Sequence, residues 1–136
     1  MNYILDACAL IAFLDDEEGA DIIEDLLDKS ADGDVSVYMS IVNLLEVYYG
    51  ELRKKGSAIA QVVLDMVNHY SIKIVNTISE QIFLEAARLK TTYKMSLGDC
   101  IGIATAIELG GQFVTSDHHE IDPVAKKEAN LIFWFR

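Results

Sequence analysis

The stretch "YILDACALIAFL", residues 3–14, contains a short apolar run, an aspartate and a second apolar run. Tyr3–Asp6 has the composition of a buried β-strand that ends in an acid. An aspartate at this point is also a common N-cap, so Asp6 can simply cap a helix that follows it. A strand that leads directly into a helix predicts the first unit of an alternating α/β fold.

The alternation of strands and helices continues along the rest of the chain. Apolar runs predict four more strands, at Val35–Met39, Ile72–Val75, Gln112–Thr115 and Leu131–Phe135. Helical spacing predicts helices at Asp21–Lys29, from Ser40 to Gly56, at Ser57–Tyr70, from Ser79 to Tyr93 and from Ser96 to Gly110. Strands separated by helices form parallel sheets that are covered on both faces. We therefore expect one α/β domain, residues 1–136, built as a three-layer α/β/α sandwich around a central parallel β-sheet.

Two consecutive helices carry long apolar stripes. In the first, the residues at helical spacing are Ile41, Leu44, Leu45, Tyr48, Tyr49 and Leu52. In the second, the residues that we expect to face inward are Ile59, Val62, Val63, Met66 and Val67. Tyr48 and Tyr49 can instead contact a second copy of the chain, so a homodimer is also expected.

Length and composition indicate a soluble protein with a proper core. The chain has 136 residues, of which 51% are hydrophobic. Its longest uninterrupted apolar run, Ala7–Leu14, is far below the roughly 18 residues that cross a bilayer. Cys8 and Cys100 are too few for a disulfide framework, and we interpret both as small buried core residues. These features predict a cytoplasmic protein without a membrane segment.

The formal net charge of −11 has two interpretations. Taken alone it argues against nucleic acid, which proteins hold mainly through lysine and arginine on phosphates. The acids can form a solvated surface, or they can be concentrated for cation binding. Composition does not distinguish the two, whereas the positions of the acids can.

Four acids fall on separate segments that lead to one edge of the predicted sheet. Asp6 and Asp117 follow strands, Glu46 lies in the helix after the second strand, and Asp99 lies in the first turn of its helix. Each has an ordinary alternative, which is a helix cap for Asp6, a turn residue for Asp117, an exposed helical residue for Glu46 and a dipole-favoured acid for Asp99. One shared site explains all four.

A cluster of carboxylates requires a cation. Two carboxylates about 4 Å apart repel each other by roughly 4 kcal/mol at an effective dielectric constant of about 20. All-oxygen ligation suits Mg²⁺ or Mn²⁺, which typically meet substrate phosphates in such sites. Metal-assisted hydrolysis of a phosphodiester is therefore the expected reaction class.

Four stretches in this order cover nearly the whole chain: "YILDACALIAFL" around Asp6, "MSIVNLLEVYYG" around Glu46, "SLGDCIGIATA" around Asp99 and "FVTSDHHEID" around Asp117. Together they resemble the PIN-domain family of small metal-dependent nucleases, which includes the VapC-type toxins of bacterial toxin–antitoxin pairs. The resemblance implies a PIN-like fold, an endoribonuclease activity that depends on Mg²⁺ or Mn²⁺, an RNA substrate and an antitoxin protein as partner.

The resemblance also implies roles for individual residues. The four acids would be the catalytic and metal-binding quartet: Asp6, Glu46, Asp99 and Asp117. Ser40 matches a small hydroxyl residue that the family often has ahead of its glutamate. Thr115 matches a threonine or serine two residues before the last acid, where its hydroxyl would orient a carboxylate or a water.

This chain departs from the family pattern after its last acid. Many members have a second aspartate two residues further on, where this chain has His119, and acids return only at Glu120 and Asp122. His119 can coordinate metal, move a proton or contact phosphate. The alternative is that His118 and His119 are exposed loop residues. Asn43 also differs, since many members have threonine there.

Arg53 shares a helical stripe with Glu46 and is followed by Lys54 and Lys55. These cations can meet RNA phosphates beside the metal. They can equally be a solvated helix end, where the helix dipole favours positive charge.

Two rival functions differ from the nuclease. A catalytically inert PIN-like module that binds proteins would suit His119 and the acidic composition. A metal-dependent phosphatase of the haloacid-dehalogenase kind is weakened because no second aspartate stands two residues after Asp6.

Overall fold

The computed structural model describes residues Met1–Arg136 and contains five strands and seven helices. The strands are β1 (Asn2–Leu5), β2 (Ser36–Ser40), β3 (Lys73–Val75), β4 (Gln112–Thr115) and β5 (Ile132–Trp134). The helices are α1 (Ala7–Leu14), α2 (Ala20–Ala31), α3 (Ile41–Lys55), α4 (Ser57–His69), α5 (Glu80–Thr92), α6 (Leu97–Glu108) and α7 (His118–Lys127). All five strands were predicted, and their ends differ from the predicted ones by at most one residue.

The five strands form one parallel sheet in the order β3-β2-β1-β4-β5. β1 lies at the centre, where Leu5 is aligned with Met39 of β2 and with Val114 of β4. The backbone N–H of Asp6 donates to the Val114 carbonyl at 3.0 Å, so the end of β1 is tied to the end of β4. The C-terminal ends of the central strands therefore share one edge.

Helices cover both faces of the sheet and enclose two apolar cores. Leu5 and Val114 point into the core formed with α1, α2, α3 and α4. The residues beside them, Ile4 and Phe113, point into the core formed with α5, α6 and α7. This alternation confirms the three-layer α/β/α sandwich. None of the helices combines the length and the apolar character that crossing a bilayer requires.

The apolar stripes of α3 and α4 are only partly buried. Val63 and Val67 face the core as expected, whereas Ile59 is 42% exposed and Val62 is 44% exposed, so the prediction was wrong for these two. On α3, the exposed apolar residues are Ile41, Leu45, Tyr49 and Leu52. The two helices pack against each other on the sheet, and each stripe is wider than the single face that a helix can turn towards a core.

Helix α7 begins where the sequence indicated a turn. His118 and His119 are the first two residues of this helix, so they are exposed as the alternative interpretation expected, but they are helical and not loop residues. Ile121 and Val124 are fully buried and anchor the helix to the second core. Pro123 is the sixth residue of the helix, where it has no N–H to donate to the carbonyl four residues earlier, so α7 lacks that one backbone bond.

Candidate metal centre

Asp6 is both a helix cap and a member of an acidic cluster. One of its side-chain oxygens accepts from the Ala9 N–H at 2.7 Å, which caps α1 as the ordinary interpretation required. Its side chain is also buried and lies close enough to Asp117 and Glu46 for their charges to act on it. Asp6 therefore caps α1 and also lies beside other acids.

Burial changes the acidity of Asp6. Loss of water raises its pKa from 3.8 to about 6, against the opposing effect of hydrogen bonds from Thr115 and Ala9. The negative charges of Asp117 and Glu46 raise the pKa further. A positive charge near this buried carboxylate would lower its pKa and favour the ionised form.

Thr115 connects the two acids that follow β1 and β4. Its hydroxyl is hydrogen-bonded to the Asp6 carboxylate and accepts from the Asp117 backbone N–H at 3.1 Å. The residue is completely buried. The threonine therefore fixes the positions of Asp6 and Asp117 relative to each other.

Three carboxylates converge in front of this edge. Ligand oxygens of Asp99, Asp117 and Glu120 all lie within 4.8 Å of one another, and all three residues are half-buried. Burial raises the pKa of Asp99 from 3.8 to about 7, and the charges of Asp6 and Glu120 act in the same direction. A hydrogen bond with Ser96, the N-cap of α6, opposes this shift.

Glu120 was not predicted as a site residue. Asp117 is the N-cap of α7, and its side chain accepts from the Glu120 N–H at 3.2 Å. The third residue of a helix turns back towards its cap, so Glu120 lies beside Asp117. The spacing of an aspartate and a glutamate three residues apart is the capping-box pattern, and it was the signal in the sequence that could have identified Glu120.

Glu46 is positioned by Asn43 and by two glycines. The Asn43 amide nitrogen donates to Glu46 Oε1 at 3.1 Å and to the Gly98 carbonyl at 3.4 Å, which links α3 to α6. A Cβ at Gly98 would collide with Glu46 Oε1, and one at Gly102 would collide with the Phe113 ring and lie 2.7 Å from Asn43 Oδ1. The small residues of α6 thus allow close packing against both β4 and α3.

The side-chain oxygen of Asn43 has no hydrogen-bond partner although the residue is completely buried. An unpartnered buried carbonyl costs about 1–3 kcal/mol. The amide nitrogen of the same residue holds Glu46, so the free oxygen is the consequence of turning the amide towards the carboxylate.

The other predicted residues lie outside this cluster. Ser40 caps α3 by accepting from the Val42 N–H at 3.1 Å. The Arg53 guanidinium lies 5.5 Å from the centroid of the Tyr49 ring, on the exposed side of α3. Neither residue contacts the three converging carboxylates.

The region after Asp117 divides into two environments. His118 stacks on Trp134 with 3.8 Å between the ring centroids, and its two ring nitrogens face Asp122 at 3.0 Å and the Arg136 carbonyl at 2.9 Å. The Arg136 carbonyl and the Asp122 carboxylate raise the pKa of His118. Asp122 is therefore engaged with His118, whereas His119 is exposed and lines a groove beside Glu120.

The acids that lie close together at this edge also affect Cys8. Partial loss of water around its thiol and the charges of Asp6, Asp99 and Asp117 raise its pKa to about 12, so the thiol stays protonated. Cys8 itself lies at the surface, which corrects the expectation of a core residue, whereas Cys100 is buried as expected.

The residues present fit a divalent cation. The converging donors are all carboxylates, which are ligands that Mg²⁺ and Mn²⁺ prefer. No lysine or arginine forms an ion pair with any of the five acids around the site. A cation is thus the missing partner that would let these groups ionise together.

Comparisons with known proteins agree with the fold. The family profile described as PIN domain matches residues 3–127. The structure resembles that of VapBC2 from Rickettsia felis bound to a DNA fragment from its promoter, with a TM-score of 0.76, 18% identity and 98% of each chain covered. It also resembles DNA-bound VapBC from Salmonella typhimurium, with a TM-score of 0.72, 14% identity, 100% of this chain and 99% of that chain covered.

A further similar structure is a toxin–antitoxin complex from Klebsiella pneumoniae, with a TM-score of 0.67, 18% identity and 98% of each chain covered. No curated protein matches the sequence.

Proposed function

This chain belongs to the PIN-domain family, and from that premise we propose that it is a divalent-metal-dependent endoribonuclease and the toxin of a toxin–antitoxin pair. Its reaction is the hydrolysis of RNA phosphodiester bonds, and its cofactor is Mg²⁺ or Mn²⁺. Its place of action is the cytoplasm.

The convergence of Asp99, Asp117 and Glu120 carries this proposal. Three carboxylates within 4.8 Å of one another repel strongly and have no cationic side chain to offset that repulsion. Without a cation this repulsion costs stability, and a divalent cation is the ligand that this donor set fits. The raised pKa of Asp6 and of Asp99 supports it, since both groups lack a positive partner.

In this proposal the acids and Thr115 have separate roles. A divalent ion, when bound, supplies ionisation of water and charge neutralisation at the phosphodiester. Asp99, Asp117 and Glu120 would hold the ion, and the charges of Asp6 and Glu46 would add to the negative field at the site. Thr115 holds the Asp6 carboxylate through one hydrogen bond and the Asp117 backbone N–H through the other.

Asn43 has a positioning role in this scheme. It donates to Glu46 Oε1 and so fixes the orientation of the Glu46 carboxylate. Because Asn43 also donates to the Gly98 carbonyl, the orientation of Glu46 is tied to the start of α6, where Asp99 lies.

The proposed protein partner is an antitoxin. Two of the similar structures are named as VapBC and one as a toxin–antitoxin complex. By analogy with those assemblies, the present chain would be the toxin component, held inactive until its antitoxin is removed.

We also expect two copies of the chain to associate through the outer faces of α3 and α4. The exposed apolar residues there form what we call the α3–α4 patch: Ile41, Leu45, Tyr49, Leu52, Ile59 and Val62. Chains of net charge −11 repel each other over most of their surface. This patch is suited to a second copy because α4 contains a single acid, Asp65, and α3 ends in Arg53, Lys54 and Lys55.

One experiment tests the nuclease assignment. Structured and single-stranded RNAs are incubated with the parent protein in Mn²⁺, in Mg²⁺ or in EDTA, and with the Asp99→Asn variant in Mn²⁺. We expect cleavage by the parent in metal only and none by the variant. Equal cleavage by the variant would contradict the proposal.

A thermal melt with increasing Mn²⁺ separates the nuclease from the inert module. A working site gains about 2.7 kcal/mol of stability at a metal concentration of about 100 times Kd. An unchanged melting temperature together with absent cleavage would favour the inert module.

A further inference from the structure

A polar groove of about 710 Å³ runs alongside the acidic cluster. One wall is the end of α5 and the residues after it, with Lys90, Tyr93 and Lys94. The other wall is the first half of α7, and the floor is the short connection into α6. This volume lies within the range of roughly 300–1,000 Å³ that is typical of ligand sites.

The groove and the helix end beside it carry four of the seven lysines and arginines that form no ion pair. Four of the eleven lysines and arginines pair with carboxylates, namely Lys29, Lys55, Arg88 and Arg136. The other seven are Arg53, Lys54, Lys73, Lys90, Lys94, Lys126 and Lys127. Lys90 and Lys94 line the groove, and the Lys127 ammonium lies 5.8 Å from the centroid of the Tyr93 ring in its wall, with Lys126 next to it on α7.

Glu128, an acid near these lysines, is already engaged, and Glu120 is the one acid among the residues that line the groove. Glu128 accepts from Tyr93 at 2.7 Å and pairs with Arg88 at 2.7 Å. Lys90 donates to the Met95 carbonyl at 2.6 Å, which fixes the ammonium and leaves two of its three hydrogens for a ligand. The groove therefore presents a positive surface within a chain of net charge −11.

The groove is continuous with the candidate metal centre. Glu120 belongs to both, since it lines the groove and is one of the three converging carboxylates. Ser96 lines the groove and caps the helix that carries Asp99 in its first turn. A chain of phosphates with one member at the metal centre would place its next members in the groove.

An aromatic ring among lysines is the usual arrangement for single-stranded nucleic acid. Lysines hold the phosphates, and an aromatic face accepts a base of any sequence. Tyr93 is the ring here, and His119 on the opposite wall supplies a second planar group.

We propose that the groove between α5 and α7 binds the phosphates of single-stranded RNA next to the cleaved bond, through Lys90, Lys94 and Lys127. The identity of the strand as substrate rests on the proposed nuclease function. The groove explains how a strongly acidic protein holds a polyanion, because its few unpaired cations are concentrated beside the site.

The test is binding of a fluorescein-labelled single-stranded oligoribonucleotide, measured by anisotropy in Mn²⁺ in the Asp99→Asn background. The groove variant is Lys94→Gln with Lys127→Gln. The control variant is Lys29→Gln with Lys73→Gln, which removes the same charge from exposed lysines elsewhere. Lys90 is left intact because it supports the Met95 carbonyl.

We expect the groove variant to bind about tenfold more weakly at low salt, and the slope of log affinity against log salt to fall by about 1.4. The control variant should bind within about twofold of the Asp99→Asn background. An effect of net charge alone would instead weaken the groove variant and the control variant equally. Equal binding by the two variants, or no measurable binding by the background protein, would overturn the groove assignment.

Cleavage assays separate this inference from the nuclease proposal. If the Asp99-containing protein cleaves RNA and the groove variant has the KM of the control, the groove assignment fails and the nuclease stands. If the groove variant alone loses RNA binding and no protein cleaves, the groove assignment stands and the nuclease fails.

Discussion

The Glu46 carboxylate occupies the space that a side chain on Gly98 would need. The glycine brings the start of α6 against α3, and the Asn43 amide completes the contact by donating to both Glu46 and the Gly98 carbonyl. The position of one acid in the cluster is thus decided by the absence of a side chain on a different helix.

Replacing Gly98 by alanine should therefore damage the metal centre more than the fold. The new Cβ collides with the mobile end of Glu46, so the carboxylate moves while the backbone stays. Disturbing a group that orients ligands typically lowers metal affinity about 10–100-fold, and we expect a loss of that size by Mn²⁺ titration.

Gly50→Ala is the matched control for that variant. Gly50 lies inside α3 with open space around its Cα, so alanine should raise stability by about 1 kcal/mol and leave metal affinity unchanged. Unchanged Mn²⁺ affinity in Gly98→Ala would show that Glu46 does not contribute to the site.

The second prediction separates two acids of α7. Glu120 lies with Asp99 and Asp117, whereas Asp122 faces His118. Glu120→Gln should weaken Mn²⁺ binding to an extent similar to Asp117→Asn, because each removes one charged ligand. Asp122→Asn should bind Mn²⁺ like the parent in isothermal titration, and a larger loss for Asp122→Asn than for Glu120→Gln would contradict this geometry.

The third prediction concerns stability without metal. Asp99 is ionised at pH 8. Burial is the largest cause of its raised pKa, and repulsion by the charges of Asp6 and Glu120 adds to it. Asp99→Asn removes that repulsion, and we expect it to raise the free energy of unfolding in EDTA by about 1–3 kcal/mol. Urea denaturation at pH 8 measures this.

The same variant should lose the stabilisation that Mn²⁺ gives the parent. The combination of higher stability in EDTA and no response to Mn²⁺ is expected only of a ligand. A variant that is less stable than the parent in EDTA would indicate that Asp99 acts as a helix-favouring acid.

The fourth prediction concerns the α3–α4 patch. Leu45, at the centre of this patch, is 56% exposed. Leu45→Glu would place one negative charge from each copy at the interface, where the two would repel each other. We expect the parent to be a dimer in light scattering and Leu45→Glu to be a monomer. Phe83→Glu, at a residue that is 66% exposed on α5, should remain dimeric, and a monomeric parent would refute the proposed association.

The sequence predicted the sheet because its strands are unbroken apolar runs that must be covered on both sides. It predicted the α/β/α layers and an acidic edge for the same reason, since Asp6 and Asp117 directly follow strands. It did not predict α7, because Pro123 and the polar residues after Asp117 look like a turn and only Ile121 and Val124 reveal the helix.

Two other features could not be predicted from pattern alone. Ile59 and Val62 look the same as their buried neighbours, because an apolar stripe does not tell which of its members face the core and which face a partner. The groove between α5 and α7 combines residues that are distant in the sequence, and its lysines stand out only after the ion pairs of the folded chain are known.

The last prediction is the pH dependence of stability without metal. Asp6 has a pKa of about 6 and Asp99 a pKa of about 7 in the folded chain, above the ordinary 3.8, so the folded state binds protons that the unfolded state has released. Their stabilising effect is complete below about pH 4 and is lost as pH rises through about 7. Glu46 and His118, whose pKa values are also raised, act in the same direction.

The free energy of unfolding in EDTA should therefore fall between pH 5 and pH 7, by up to about 1.4 kcal/mol per pH unit for each group, and change little above pH 8. Asp6→Asn should flatten this fall, because the amide does not titrate. With saturating Mn²⁺ the trend should reverse, since protons compete with the cation for the same oxygens. Stability that rises from pH 5 to pH 7 in EDTA would mean that the acids already have positive partners, and the argument for a cation at this edge of the sheet would lose its basis.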